Sequence, residues 1–296
     1  MTDRTGSESA GPVVELSGIT FGYGRKKLFS NLDLTLHAGT IYGLLGKNGA
    51  GKTTLLKIIC GLRIAQEGSA RVLGHDSARR PAGMLEDLLF IPEDLSVPPL
   101  LPAVYQRLYA PFYPRFSHEA LASHLSELEI PTDRKLSELS YGQKKKFLIA
   151  FGLASRCRLL LMDEPSNGLD IPSKSQFRRL LAGAGGDEQV ILVSTHQVRD
   201  MENLIDPIII LDEGRIVFQQ AMKEVGSRLT ARIESAEPAD TGALYAEKTL
   251  GGWAVLRENS GGEETGVDLE TLFNAVTAPG SRVRALFDPA PAGKGA

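Results

Sequence analysis

Residues Gly46 to Leu55 read G-K-N-G-A-G-K-T-T-L, and the fold turns on this stretch. It fits G-x-x-x-x-G-K-[ST], with Gly46, Gly51, Lys52 and Thr53 at the fixed positions. Ile41 to Leu45 before it is a short apolar run, the pattern of a buried strand, and Thr54 to Cys60 after it is apolar at helical spacing, with Gly61 placed to end the helix. Strand, glycine loop and helix together make a phosphate cradle. The glycines let backbone N–H groups turn onto an anion, and the helix N-terminus adds about half a positive charge. Gly46, Lys47, Asn48, Gly49, Ala50, Gly51, Lys52, Thr53 and Thr54 are the expected wall of that cradle. Lys52 is placed to reach the β/γ-phosphates and the Thr53 hydroxyl to ligate Mg²⁺. On its own the motif specifies a bound nucleoside triphosphate and no more.

The chain has 296 residues, of which 42% are hydrophobic and 23% charged, an ordinary globular composition. A net charge of -3 gives no electrostatic case for nucleic acid as a partner. Cys60 and Cys157 have no metal-ligand spacing and read as buried small hydrophobes in a reducing compartment, the cytoplasm. Met1 to Gly11 is polar and small, without the apolar core of a signal peptide, and residues 288–296 are similar; both read as disordered tails. No apolar run approaches the roughly 18–20 residues needed to span a bilayer, so a membrane role requires a separate spanning chain.

Working outward from the loop, Val13–Tyr23 and Leu28–Leu36 alternate apolar and polar residues and read as antiparallel strands. Tyr23 is either an aromatic that stacks on an adenine ring or a strand aromatic in a core. Gly68–Leu73 and Leu88–Ile91 are further strands. Residues 95–158 form a helical insertion, and its aromatic, proline-rich part, Val97–Phe116, is either the core of that insertion or a groove for a helix of another protein. Leu159–Met162 and Val190–Val193 are continuous apolar strands, and Ile208–Leu211 pairs with Arg215–Phe218 through the turn at Asp212–Gly214. Apolar strands alternating with helices predict a parallel sheet covered on both faces. After about Gln220, alternation at Leu229, Ala231 and Ile233 and at Trp253, Val255 and Arg257, a turn at Glu258–Gly262, and the stripe Leu269, Leu272, Phe273, Val276 predict a small α+β appendage over 221–287.

Two strand tips carry chemistry. Asp163 and Glu164 end the apolar strand at 159–162. An Asp there beside the phosphate loop can hold Mg²⁺ through water, and the adjacent carboxylate can orient or deprotonate the water attacking a γ-phosphate. His196 ends the strand at 190–193; a lone histidine is more often structural, yet here an imidazole N–H could meet the γ-phosphate.

Leu139-Ser140-Tyr141-Gly142-Gln143 resembles the LSGGQ signature of the ATP-binding cassette (ABC) ATPases. The order of the other motifs agrees over Val13–Gln220. By this resemblance the fold is α/β: a P-loop NTPase (RecA-like) core with an antiparallel β subdomain and a helical subdomain, the appendage lying outside the common part. It implies that Tyr23 stacks on the base, that Glu93 holds the Q-loop position as a metal ligand with Thr53 and Asp163, and that Glu164, His196 and Lys52 are catalytic, with Asp170 in the D-loop Ser166–Asp170. It further implies that ATP and Mg²⁺ bind between two ATP-binding subunits packed head to tail, identical or not. Ser140, Tyr141, Gly142 and Gln143 would then contact the ATP held by the partner's loop, with their helix dipole favouring the anion. The subunit of this family pairs with an integral membrane permease and lies on the inner face of the cell membrane; the short insertion and the appendage are similar to exporter-type systems. A soluble ABC ATPase of the iron–sulfur assembly type is the alternative, and a nucleotide-gated regulator with little turnover is another; DNA-repair ATPases need a long coiled coil for which this chain has no room.

The sequence departs from the family pattern twice. Tyr141 replaces the first signature glycine, so its side chain must point away from the phosphate or cover the nucleotide. Glu93 replaces a glutamine and adds a negative charge beside the metal. Lys144-Lys145-Lys146 reads as a solvated helix face, or as a lure for the partner's nucleotide.

Overall fold

A computed structural model describes residues 11–202, 204–239, 241–261 and 265–287. The predicted tails at 1–10 and 288–296, and Gly262 of the predicted turn, lie outside the described residues. Strands β1 (Val14–Tyr23) and β2 (Lys26–Leu36) pair antiparallel, and β3 (Thr40–Leu45) leads into helix α1 (Lys52–Ile59). Strands β4 (Glu67–Val72) and β5 (His75–Asp76) complete the first sheet, in the order β2-β1-β4-β5. After the short helix α2 (Ala82–Leu85) come β6 (Leu88–Ile91) and the helices α3 (Pro102–Tyr109), α4 (His118–Glu127) and α5 (Tyr141–Ala154). The chain then runs β7 (Leu159–Asp163), α6 (Ile171–Ala182), β8 (Val190–Thr195), β9 (Ile208–Asp212) and β10 (Arg215–Gln220).

The second sheet has the order β10-β9-β3-β8-β7-β6. Its members run parallel except β10, which returns antiparallel to β9. The reason is in the side chains: Leu159–Met162, Val190–Val193 and Ile208–Leu211 are buried at every position, and a strand apolar on both sides is stable only where both faces are covered. One face packs under the first sheet and α1, through Leu44, Leu55, Leu161 and Leu192. The other meets α5 and α6, through Ile91, Phe151, Leu160 and Phe177.

The aromatics of the insertion divide. Tyr105 packs edge-on to Phe147 and Phe151, with ring centres 5.2 and 5.1 Å apart, and Phe116 lies 5.0 Å from Phe151. These rings form the core of the helical segment. Phe112, by contrast, is 65% exposed, and Leu108 and Tyr109 are exposed beside it, so the other reading of this stretch keeps its residues too.

Beyond β10 lie α7 (Met222–Arg228), the sheet β11 (Leu229–Glu234), β13 (Gly252–Glu258), β12 (Ala243–Thr249), and the helices α8 (Leu269–Thr277) and α9 (Arg282–Phe287). Leu256, Leu272, Val276 and Phe287 belong to the same apolar cluster as Ile191 and Val193. Phe218 of β10 meets Phe287 at 5.1 Å, and Arg199 pairs with Glu270. The appended segment thus shares one continuous core with the rest. Strand β12 and helix α9 are additions to the sequence reading. A-L-Y-A-E-K-T and R-V-R-A-L-F carry too little periodicity to announce themselves, and tertiary packing decides them. Among the described residues no helix is long and apolar enough to cross a membrane.

Candidate functional site

Three neighbouring strands, β7, β8 and β3, bring their C-terminal ends to one edge of the sheet, in register Leu45↔Thr195 and Asp163↔Ser194. Ligands of open α/β sheets bind at such edges. A cleft of about 370 Å³ lies there, lined by residues that include Tyr23, Asn48, Gly51, Thr53, Glu93 and Glu164. That volume falls within the range of small-molecule sites.

The loop keeps its shape through glycine. Gly51 has φ +109°, and a Cβ there would come within 2.7 Å of the Phe29 ring; only glycine adopts that backbone without strain. The turn delivers Lys52 into the cleft, 7% exposed, where its Nζ donates to the Gly46 carbonyl at 2.8 Å and lies 3.4 Å from Glu164 Oε1. Thr53 Oγ1 donates to Asp163 Oδ2 at 2.6 Å, and Ser194 Oγ donates to Asp163 Oδ1 at 2.5 Å. Thr53 and Asp163, 110 positions apart, therefore meet as a hydroxyl–carboxylate pair, an all-oxygen donor set that suits a hard cation such as Mg²⁺.

Glu164 is 5% exposed and has φ +47°, the left-handed region. Its Oε1 lies 2.9 Å from His196 Nδ1, and its Oε2 accepts from the His196 main-chain N–H at 3.3 Å. A carboxylate held between an ammonium and an imidazole is aimed rather than free to rotate. Such a group can accept a proton from water or orient it.

Tyr23 is half exposed at the rim of the cleft, its hydroxyl 3.2 Å from Thr54 Oγ1 and Arg63 over its ring at 5.7 Å. Glu93 lines the cleft too, but its Oε1 accepts from Asn167 Nδ2 at 2.7 Å, and Asn167 Oδ1 accepts from Gln197 Nε2 at 2.8 Å. Asp170 caps α6: its Oδ1 accepts from Ser173 N at 2.9 Å, and the bonds to Ser173 hold the carboxyl below its ordinary pKa.

Ser140 and Gln143 form a capping box at the start of α5, at 3.2 and 3.0 Å, which fixes the helix N-terminus. Gly142 lies in the first turn, with its Cα face toward the Gly168 carbonyl. Tyr141 turns back onto its own chain: its hydroxyl donates to the Glu93 carbonyl at 2.7 Å, and its ring leaves no room for a Cβ on Gly168. The two departures from the family pattern are thus bonded to each other. Burial, and then Glu93 and Asp94, push the Tyr141 phenol up.

One reading of the lysine run is corrected here. Lys145 is fully buried, its ammonium donating to the main-chain oxygens of Glu164 at 2.7 Å and Asn167 at 3.0 Å. Three consecutive helix positions point about 100° apart, so one lysine of three had to face the sheet; a charge count could not choose it. Lys26 and Leu28 on the cleft wall and Ser194 behind Asp163 are also additions. Ser194, one step inside the apolar strand β8, carries no local signal.

A strand-edge cleft with a glycine loop, a buried lysine and a caged carboxylate defines a P-loop nucleotide-hydrolysing core. Residues 29–167 match the family model for the ABC transporter. Nod factor export ATP-binding protein I of Burkholderia lata is 29% identical over 276 residues, spanning 90% of this chain and 86% of that protein. An uncharacterized ABC transporter ATP-binding protein, YdbJ of Bacillus subtilis, is 28% identical over 83% of each chain. A solved ATP-binding subunit of an ABC transporter superposes with a TM-score of 0.63 at 25% identity, over 72% of this chain and 91% of that one. Residues 29–167 thus carry an ABC transporter domain, and over most of its length the chain is similar to the ATP-binding, ATP-hydrolysing subunits of those transporters.

Proposed function

We propose that this chain binds ATP in the cleft at the strand edge, hydrolyses it with Glu164 as the water-orienting base, and drives a separate membrane permease from the cytoplasmic face. The observation that carries the reading is the convergence of Lys52, the Thr53–Asp163 pair and the Glu164–His196 pair on one cleft. The loop amides and Lys52 hold the phosphates, Tyr23 meets the base, and His196 meets the γ-phosphate. Phosphoryl transfer asks mainly for positioning and charge stabilisation. Thr53, Asp163 and Glu93 are the residues that would hold Mg²⁺, which when bound neutralises phosphate charge.

Half of the site belongs to a second ATP-binding subunit, the same chain or another. Ser140, Tyr141, Gly142 and Gln143 of one subunit complete the γ-phosphate site of the other, as the fixed N-terminus of α5 favours an anion. Asp170 and its D-loop lie along that contact.

The permease contact is the groove between the sheet edge and the helical segment, about 620 Å³, lined by Leu62, Leu85, Phe90, Tyr109, Phe112 and others. Leu62 and Phe112 are exposed at its mouth, the kind of apolar patch that marks a protein contact. Co-purification from detergent extracts tests this. The intact chain is expected to bring down an integral membrane protein, and Leu62→Ser with Phe112→Ser to reduce its recovery about tenfold, or roughly 1.4 kcal/mol of contact. A soluble partner in its place would favour the iron–sulfur assembly type.

The Glu93 position has its own test. Glu93→Gln removes a charge beside the metal site while keeping an oxygen for Asn167. The Mg²⁺ concentration for half-maximal hydrolysis is expected to rise about tenfold, within the range found when groups around a metal are altered. An unchanged Mg²⁺ titration would remove Glu93 from the metal's surroundings.

A further inference from the structure

Lys145 presents a problem that the nucleotide site does not solve. It stands on α5 one helical turn after Tyr141, is fully buried, and has its ammonium 5.2 Å from the Tyr141 ring centre. Among the described residues it forms no salt bridge; its partners are two carbonyl oxygens, of Glu164 and Asn167. Burial lowers its pKa, against the pull of Glu93, Glu164, Asp163 and Asp94 in the same region. Burying a charge without a countercharge in contact is expensive, and an apolar side chain of similar volume would serve packing better. The ammonium therefore points to a task other than filling space.

The two carbonyls identify that task. They flank the turn at 164–167, which is closed by Asn167 N–H donating to the Glu164 oxygen at 3.1 Å. The same Glu164 oxygen thus accepts from both Asn167 N and Lys145 Nζ. Glu164 sits at φ +47°, a conformation that a side chain with a Cβ holds only when its surroundings impose it. Its own N–H is fixed from the other side, donating to the Ser194 carbonyl at 3.1 Å. Lys145 is the side chain that fixes the opposite end of that residue. Asn167, the other residue it grips, carries the amide bonded to the Glu93 carboxylate, while Tyr141 holds the Glu93 carbonyl. Two residues of α5, four positions apart on one face, therefore grip the Q-loop, the Glu164 strand tip and the D-loop of their own subunit.

We propose that Lys145 is a positioning residue for ATP hydrolysis: it holds the Glu164 and Asn167 carbonyls, so that the aim of the Glu164 carboxylate follows the orientation of the signature helix. The proposal rests on the reading that Glu164 orients the attacking water. The helix that meets the partner's nucleotide with its N-terminus sets, through this ammonium, the hydrolytic carboxylate of its own nucleotide. An error of about 1 Å in such an aim can cost a hundredfold in rate without touching substrate binding.

The test uses the full chain with ATP and Mg²⁺, in the variants Lys145→Met and Lys145→Gln. Met keeps the length and loses the donor; Gln keeps a donor for one of the two carbonyls. Affinity for a fluorescent ATP analogue, kcat and KM, and the melting temperature are measured for each. Lys145→Met is expected to lose about 30-fold in kcat, with KM and nucleotide affinity within about twofold of the wild type, and Lys145→Gln to recover part of the loss. Equal kcat in wild type and a folded Lys145→Met, or a loss shared equally by affinity and turnover in both variants, would overturn the proposal. If Lys145→Met does not fold, a folded Lys145→Gln with wild-type kcat overturns it, and one with reduced kcat and unchanged affinity supports it. A wild-type chain that neither binds nor hydrolyses ATP would sink the ATPase reading itself, an outcome distinct from wild-type turnover that the variants share.

Discussion

Glu164→Gln is expected to reduce ATP turnover by about three orders of magnitude and to leave nucleotide binding intact. The loss lies in the middle of the range for general-base removal, and corresponds to about 4 kcal/mol of transition-state stabilisation. The substitution is close to isosteric. The amide oxygen can still accept from the His196 main-chain N–H, now at 3.3 Å, and the left-handed backbone at φ +47° is set by main-chain bonds that the variant keeps. What disappears is the negative charge between the Lys52 ammonium at 3.4 Å and the His196 imidazole at 2.9 Å. Without it, water near the γ-phosphate has no base, while the loop that binds the phosphates is unchanged. The ATP-bound state should then persist, and if two subunits share each nucleotide the variant should elute from gel filtration as a dimer with saturating ATP and Mg²⁺. A monomeric elution there would remove the head-to-tail model for this chain. Turnover equal to that of the wild type would remove Glu164 from the chemistry.

How much of this was legible beforehand follows from the range of each signal. The loop at 46–54 and the strand tips at Asp163 and His196 could be read because phosphate binding at a sheet edge leaves a local mark: a glycine spacing, or an apolar run that ends abruptly in a polar residue. The parallel sheet followed from strands buried on both sides. The pairing of Thr53 with Asp163, and of Glu164 with His196, needed only the inference that those tips share an edge. Lys145 was unreadable for the opposite reason. Its neighbours Lys144 and Lys146 have the same charge, and the pair of carbonyls that it meets is a product of the turn at 164–167, 19 and 22 positions away on another element. Asn167, Gln197 and Glu93 form a chain of amides and a carboxylate that no spacing rule encodes. Tyr141 is intermediate: the sequence required its ring to leave the phosphate path, and only the fold could say that it ends on Glu93. The appended sheet was half visible, since β11 and β13 alternate while β12 owes its conformation to its partners.

Lys52→Ala is expected to weaken ATP binding by about a hundredfold or more, so that no turnover is measurable at ordinary ATP concentrations. Two effects add. The ammonium is removed from the phosphates, and a hydrogen bond to a charged group contributes about 1.5–3 kcal/mol, which is already tenfold to more than a hundredfold in affinity. The variant also leaves Glu164 in the cleft with only His196 beside it, so that the incoming phosphates meet an uncompensated carboxylate behind a 5% exposed surface. Like charges in a site of low dielectric repel strongly. The second effect can be isolated, because it depends on a charge that Glu164→Gln removes. In the double variant Lys52→Ala, Glu164→Gln, part of the lost affinity should return, and the coupling between the two positions should exceed the few tenths of a kcal/mol seen between independent sites. Titration of a fluorescent ATP analogue against the four proteins measures it. Additive losses would mean that Lys52 and Glu164, 3.4 Å apart in this structure, separate before the phosphates arrive, and that the lysine acts on the nucleotide alone.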